Sequence, residues 1–162
     1  MSMICELFII PPQTARQLVH DPGSIHDVLQ ALEGSDSVLS LEKSWHGLHF
    51  ALTGTAWEGN PPLNILSGGG VPVGDEDVGY GPARLLDPTA VTALNAALAA
   101  FSDADFDRNF DPAGLSGAEI YPPIWDEPLE DLKQEYAGCL QEMKTHVKRA
   151  AETGQALLVA IR

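Results

Sequence analysis

The C-terminal part of the chain contains the pattern that most constrains the fold. Apolar side chains recur there every three or four residues, at Leu129, Leu132, Tyr136, Cys139, Leu140, Met143, Val147 and Ala150. This spacing predicts one face of an α-helix, and acidic residues at its start and basic residues at its end both suit the helix dipole. Gly154 is placed to end the helix, and the apolar run "QALLVAI" after it predicts a strand. The chain must therefore accommodate a long amphipathic helix that leads directly into a β-strand.

A second strand is predicted near the other end of the chain, where two prolines stop the apolar run "CELFII" at residues 5–10. We expect Thr14, Ser24, Asp87 and Asp126 to cap the helices that they begin or precede. The helices predicted between the two strands span residues 14–20, 24–32, 41–52 and 87–101. Few strands among many helices predict the α+β class, as one helix-rich domain over residues 1–162. Its small β-sheet is expected to be mixed and to include the N- and C-terminal strands.

Charge limits the partners that such a chain can bind. The net charge is −14, from 23 acidic residues against nine Lys and Arg. Such a field repels nucleic-acid backbones and anionic membranes, so we expect neither as a partner. The sequence contains no apolar run of the length that a membrane span needs, and its first ten residues lack a secretion signal. We therefore expect a cytoplasmic protein whose two cysteines are reduced.

Four motifs carry a resemblance to a known family. They are "SWHGLHFALTG", "PLNILSGGG", "GDEDVGYGPARLL" and "EIYPPIWD", in that order along the chain. With these motifs the chain resembles the YfbM-like family of uncharacterised bacterial proteins over essentially its whole length. The resemblance implies a bacterial α+β protein of one domain. It implies no activity and no catalytic residues.

The first motif places His46 and His49 three residues apart on a predicted helix, so that they share one side of it. With Glu42 as a third ligand this spacing would suit a metal ion, but no further Cys/His pair supports such a site. Zinc proteases need histidines four residues apart with a glutamate between them, which is absent here. We interpret the two histidines as packing at the edge of a candidate pocket, and we predict no metal and no cofactor.

The glycine-rich loop at residues 68–84 is the second candidate. Its glycines would let the backbone approach a ligand, but it matches neither a P-loop nor a dinucleotide fingerprint. A loop held by its own turns is therefore the favoured interpretation. If the loop does bind a ligand, we expect one pocket formed with the "WHGLH" helix (residues 45–49), lined by His46, His49, Asp75, Asp77, Tyr80 and Arg84.

Two further stretches are rich in carboxylates. Residues 103–114, "DADFDRNFDPAG", resemble a calcium loop in their alternate acids, but Arg108 and Gly114 stand where that loop needs glycine and glutamate. We interpret this stretch as an acidic turn that starts a helix. In "EIYPPIWDEP", Tyr121 and Trp125 either fill an edge of the core or, with Asp126, form a surface for a protein partner.

Two functions fit these features. The sequence contains no complete catalytic signature, so we predict a non-catalytic cytoplasmic protein that binds another protein, for which a basic partner is expected. An inhibitor or immunity-like role, or a regulatory one, would be concrete versions of this function. The alternative is a small-molecule-binding or metal-binding protein or an enzyme, using the pocket of the glycine-rich loop and the "WHGLH" helix. The sequence gives no oligomeric state.

Overall fold

The structure is a computed structural model that describes residues 2–162. The strands are β1 (Cys5–Ile10), β2 (Val38–Glu42), β3 (Val71–Pro72), β4 (Arg84–Leu86) and β5 (Ala156–Ile161). The helices are α1 (Pro12–His20), α2 (Ile25–Leu32), α3 (Trp45–Thr53), α4 (Pro88–Ala100), α5 (Asp103–Asn109), α6 (Pro112–Gly117) and α7 (Leu129–Glu152), with a short 3₁₀ turn at Pro22–Ser24. No helix within residues 2–162 combines the length and the apolarity that crossing a bilayer requires.

The five strands form one sheet in the order β2-β1-β5-β4-β3. The longest pairing joins the two predicted terminal strands, from Cys5 opposite Ile161 to Ile10 opposite Ala156. The structure thus confirms the α+β class and the inclusion of both terminal strands. All four strand pairs are antiparallel, so the expected mixed sheet is corrected to an antiparallel one. Side chains alternate with a period of two in either kind of pairing, which is why the sequence pattern does not reveal strand direction.

Helices cover both faces of the sheet. Along β1, Cys5, Leu7 and Ile9 point into the larger core, to which α3, α4 and α7 contribute their apolar sides. Phe8 and Ile10 point to the opposite face, into a smaller core that α1 and α2 complete. Because β1 and β5 are buried on both faces, their sequences are almost continuously apolar rather than alternating.

The helix predicted from residue 41 begins later than expected. Leu41 belongs to β2, where the pairing with β1 shifts by one residue and leaves Leu41 without a partner, although its side chain is buried in the core. The chain then turns at Glu42, whose φ is 50°, and α3 starts at Trp45. The four-residue spacing from Leu41 to Trp45 mimics a helical repeat because a strand and a helix present apolar side chains to the same core. The predicted helix end is confirmed, since Gly54 adopts the left-handed conformation with φ of 76°.

The four predicted caps have different outcomes. Thr14 does not cap α1, because the helix already begins at Pro12 and has no side-chain cap. Asp87 caps α4 by accepting the N–H of Ala90 at 2.8 Å, as expected. Ser24 precedes α2 but does not cap it, because its hydroxyl donates to the carbonyl of Asp21 at 2.7 Å. Asp126 does not cap α7, which begins further along the chain without a side-chain cap. The side chain of Asp126 therefore remains exposed.

Candidate functional site

His46 is buried, and both of its ring nitrogens are hydrogen-bonded within the protein. Nδ1 accepts the backbone N–H of Tyr121 at 3.0 Å, so the ring proton lies on Nε2, which donates to the carbonyl of Ala56 at 2.7 Å. Trp45 and Trp57 flank the ring, with centroid separations of 4.9 and 4.4 Å. Burial lowers the pKa of His46, which keeps the imidazole neutral. No nitrogen of this side chain is left for a metal or a substrate.

His49 is equally buried but has the opposite surroundings. Neither ring nitrogen has a hydrogen-bond partner within residues 2–162. Burial, then the nearby His46 and the Arg84 cation, lower the pKa of His49 to about 4. The backbone of Glu58 opposes this shift without reaching hydrogen-bond geometry. His49 is therefore a neutral polar ring in the interior. Its nitrogens lose their hydrogen bonds to water on folding and gain none from the described protein in return.

Arg84 supports the glycine-rich loop from inside. Its Nη1 donates to the carbonyl of Ile65 at 2.6 Å and to that of Gly69. It forms no salt bridge with an acidic residue of the described chain, and burial lowers its pKa. Burial also raises the pKa of the neighbouring Cys5 thiol to about 12, which leaves it un-ionised. Arg84, the cation expected to bind a ligand, instead stabilises the loop through these two hydrogen bonds.

The other three predicted pocket residues lie on the exposed part of the loop. One carboxylate oxygen of Asp77 accepts the N–H groups of Gly79 at 2.7 Å and Gly81 at 3.0 Å, which closes a tight turn. The side chain of Asp75 is exposed, and Tyr80 is 41% exposed, with its N–H donating to the end of β5. This part of the loop is thus held by its own turns, as the favoured interpretation expected.

The six residues of the predicted pocket therefore divide into two groups. The two histidines and Arg84 lie near one another in the interior, whereas the two aspartates and Tyr80 lie on the surface. None of the six lines either of the two concavities described below. Within residues 2–162 no group of three or more His, Cys, Asp or Glu side chains is arranged to hold a metal ion.

The acidic stretch at residues 103–114 serves to start helices. Asp105 and Ser102 form a reciprocal capping box at the start of α5. Asp111 caps α6 by accepting the N–H groups of Ala113 and Gly114, each at 3.3 Å. The interpretation as an acidic turn with a helix start is confirmed.

The aromatic–proline segment, residues 119–126, borders a concavity of about 480 Å³. Its lining includes Glu119, Ile120, Tyr121, Pro123, Trp125 and Asp126, so all three residues of the predicted partner surface share it. We call it the acidic concavity, because the carboxylates of Glu119 and Asp126 are exposed there. Neither carboxylate forms a salt bridge with a described residue.

The walls of the acidic concavity are fixed by hydrogen bonds to the rest of the fold. Trp125 is buried, and its indole N–H donates to the carbonyl of Ile120 at 2.8 Å. The backbone N–H of Tyr121 donates to His46, and its hydroxyl accepts the N–H of Met3 at 3.3 Å. The aromatic side chains thus both complete the core edge and line the concavity, so the two interpretations of this segment are compatible.

A second concavity, which we call the apolar cavity, has a volume of about 490 Å³. It lies between the end of α1, residues 61–65, the β3–β4 edge of the sheet and the first turns of α4. Among its lining residues, Asn64 and Asp87 alone have polar side chains. The sequence does not reveal this cavity, because four segments that are separate along the chain form it. The glycine-rich loop does contribute Gly70 and Val71, whereas Asp75 and Asp77 do not line the cavity.

Comparisons with known proteins agree with this architecture. The family described as "Domain of unknown function (DUF1877)" matches residues 1–160. Among solved structures, the crystal structure of YfbM, a protein of unknown function from Escherichia coli, is similar with a TM-score of 0.73. That similarity covers 98% of this chain and 99% of that one at 24% sequence identity, so it concerns the fold alone. No curated protein matches. The chain therefore belongs to the DUF1877 family, which confirms its resemblance to YfbM-like proteins.

Proposed function

We propose that this protein is a non-catalytic cytoplasmic protein that binds a basic protein partner through the acidic concavity. One observation carries the proposal. Two exposed carboxylates, Glu119 and Asp126, share a concavity with Tyr121 and Trp125, and no cation of the described chain pairs with either of them. An inhibitor or immunity-like protein that faces a basic toxin or nuclease is the version of this function that we favour.

The chemistry of the lining suits an arginine or lysine side chain. The charged head would approach the carboxylates of Glu119 and Asp126, and the aliphatic stem would pack on the exposed ring of Pro123. An aromatic ring beside the cation adds a further attraction. The net charge of −14 would steer a basic partner toward the protein and speed association.

The concavity is formed before any partner arrives. The hydrogen bonds of Trp125 and Tyr121 hold its walls, so binding does not have to order them. Glu119 has a φ of 55°, a conformation that is unfavourable for a residue with a side chain. It follows the end of α6, where the N–H of Ile120 donates to the carbonyl of Leu115 at 3.0 Å, so this helix end fixes the backbone that carries the carboxylate.

The alternative function, a small-molecule or metal site between the glycine-rich loop and the "WHGLH" helix, has weaker support. His46 uses both ring nitrogens internally, and Arg84 is committed to loop carbonyls. The remaining predicted ligands lie on the exposed part of the loop. We therefore prefer protein binding.

The experiment is affinity capture from a lysate with charge-reversed variants. The test protein carries Glu119→Lys and Asp126→Lys. The control carries Glu33→Lys and Asp75→Lys, which change the net charge equally at exposed positions outside the concavity. We expect the wild type and the control to retain one basic protein stoichiometrically, and the test variant to lose it. If no stoichiometric partner is recovered, or if the test variant retains it, the proposal is wrong.

A further inference from the structure

The apolar cavity is separate from the acidic concavity, and the proposed function does not use it. Its volume of about 490 Å³ lies within the range typical of small-molecule sites. Val19 and Val71 border it and are each 67% exposed, so two large apolar side chains at its rim lack a covering. An apolar molecule of ligand size would remove both from water.

The wall formed by the glycine-rich loop is rigidly built. Arg84 donates to the carbonyls of Ile65 and Gly69, which fixes the loop from behind. Gly70 has a φ of 84°, and a Cβ atom there would lie 3.1 Å from the carbonyl oxygen of Leu85 and 3.1 Å from a methyl group of Leu86. The close approach of loop and strand thus needs glycine at this position. The cavity is therefore formed without a ligand.

One charged group defines the polarity of the cavity. Asp87 is the single charged lining residue, and one of its carboxylate oxygens accepts the N–H of Ala90 as the helix cap. The other oxygen has no hydrogen-bond partner within residues 2–162, and the side chain is exposed. A negative group on a ligand would be repelled here, both by Asp87 and by the net charge of −14, whereas an ammonium group would be attracted.

We propose that the apolar cavity binds a small hydrophobic molecule that carries one amine. Its hydrocarbon part lies against Val19, Val71 and the aliphatic wall, and its ammonium group pairs with Asp87. Fatty acids, which have the same hydrocarbon chemistry but the opposite charge, are disfavoured.

Three probes of equal chain length test the ligand class: octylamine, octanol and octanoate. Each is titrated into ¹⁵N-labelled protein while backbone amide signals are followed. We expect saturable shifts at Val71, Leu85 and Ala90. Octylamine should bind about tenfold more tightly than octanoate, because Asp87 attracts an ammonium group and repels a carboxylate. If neither octylamine nor octanol gives saturable shifts at these residues, there is no such site. Octanoate binding as tightly as octylamine would overturn the assignment of the amine.

Two variants of α4 distinguish binding in the cavity from nonspecific binding of an amine to the acidic protein surface. Ala93 lines the cavity on the exposed side of α4, and Ala93→Phe fills part of it without disturbing the core. Ala100→Phe makes the same change about 10 Å further along the same helix. We expect binding to be lost in the first variant and kept in the second. Octylamine binding that survives Ala93→Phe would overturn the proposal.

The role of the charge is tested by Asp87→Asn. Asparagine caps helices as well as aspartate does, so α4 keeps its start while the cavity loses its charge. We expect the preference for octylamine over octanoate to fall from about tenfold to about twofold, and octanol binding to stay unchanged. An unchanged preference would show that Asp87 does not select the ligand.

Discussion

Helix α3 and the aromatic–proline segment contain similar residue types but differ in how far their polar side chains are exposed. Both contain tryptophan, both touch the same core, and both were candidates for function from sequence. In α3, seven of nine residues are buried. In the aromatic–proline segment the aromatic side chains pack inward, while Glu119 and Asp126 remain exposed without an ion pair among the described residues. Clustered functional residue types therefore indicate a site only where the fold leaves their polar groups both unpaired and exposed, and the unpaired nitrogens of His49 are buried.

Lowering the pH should give the largest effect on stability, because α3 contributes two buried, neutral histidines. A histidine in the unfolded chain has a pKa of about 6.5, whereas that of His49 is about 4 in the folded protein. Between these values only the unfolded state binds the proton, so stability is complete above pH 6.5 and falls as the pH decreases. His49 alone should lower the free energy of unfolding by about 3 kcal/mol by pH 4. The lowered pKa values of His46 and His146 act in the same direction.

Urea unfolding at pH 7, 6, 5 and 4 measures this effect. His49→Leu should reduce the slope of stability against pH by up to about 1.4 kcal/mol per unit, with the largest difference between pH 6 and pH 5. An equal slope in wild type and variant would mean that the pKa of His49 does not change on folding.

The close packing of α3 against α7 and the aromatic–proline segment gives the next effect. A Cβ atom on Gly47 would lie 2.5 Å from Cε2 of Tyr136 and 3.0 Å from Cη2 of Trp125. Both rings are buried, so Gly47→Ala should destabilise the protein by about 2–3 kcal/mol despite the better helix propensity of alanine. Gly138→Ala in α7 is the control, since nothing lies within 4 Å of its added methyl group. It should leave stability unchanged or raise it by up to about 1 kcal/mol. Equal effects of the two substitutions in chemical denaturation would contradict the tight contact.

A pair of leucine variants at pH 8 distinguishes the two histidines. His46→Leu leaves the N–H of Tyr121 and the carbonyl of Ala56 without partners, and should cost about 2 kcal/mol of unfolding free energy. His49→Leu removes two nitrogens that have no partner among the described residues, and should be neutral to within about 1 kcal/mol. Thermal unfolding compares the variants directly. A larger loss at His49 than at His46 would reverse their assignment.

The smallest effect is expected at the acidic concavity. Glu119→Gln combined with Asp126→Asn removes two exposed charges that form no salt bridge with a described residue, so stability should change by less than about 0.5 kcal/mol. Capture of a basic partner should nevertheless be weakened. Loss of stability greater than 1 kcal/mol would indicate that these carboxylates support the fold rather than bind.

Much of the fold could be predicted where the signal is local. The strands at residues 5–10 and 156–161, the helix α7 and the Asp87 cap depend on periodicity and on nearest neighbours. Strand direction and strand order depend on pairing between distant segments, which a local pattern does not encode. Residue 41 was misassigned for the same reason, because its helical spacing to Trp45 crosses a turn at Glu42.

The candidate site was less predictable than the fold. The shared lining of Tyr121, Trp125 and Asp126 followed from their closeness in sequence. The different surroundings of His46 and His49 did not, because they depend on carbonyls and amides brought in from residues 56 and 121. The apolar cavity is formed by four separate segments, and its contributors have ordinary composition.

The position of β5 in the sheet has a consequence for synthesis. Residue 5 pairs with residue 161, and β5 lies between β1 and β4. At translation rates of about 5–20 residues per second, β1 emerges roughly 7–30 s before the strand that completes it. A product cut short before residue 156 would expose the facing edges of β1 and β4, which are prone to aggregation. The sheet can therefore close between β1 and β4 only after residues 156–161 have been synthesised.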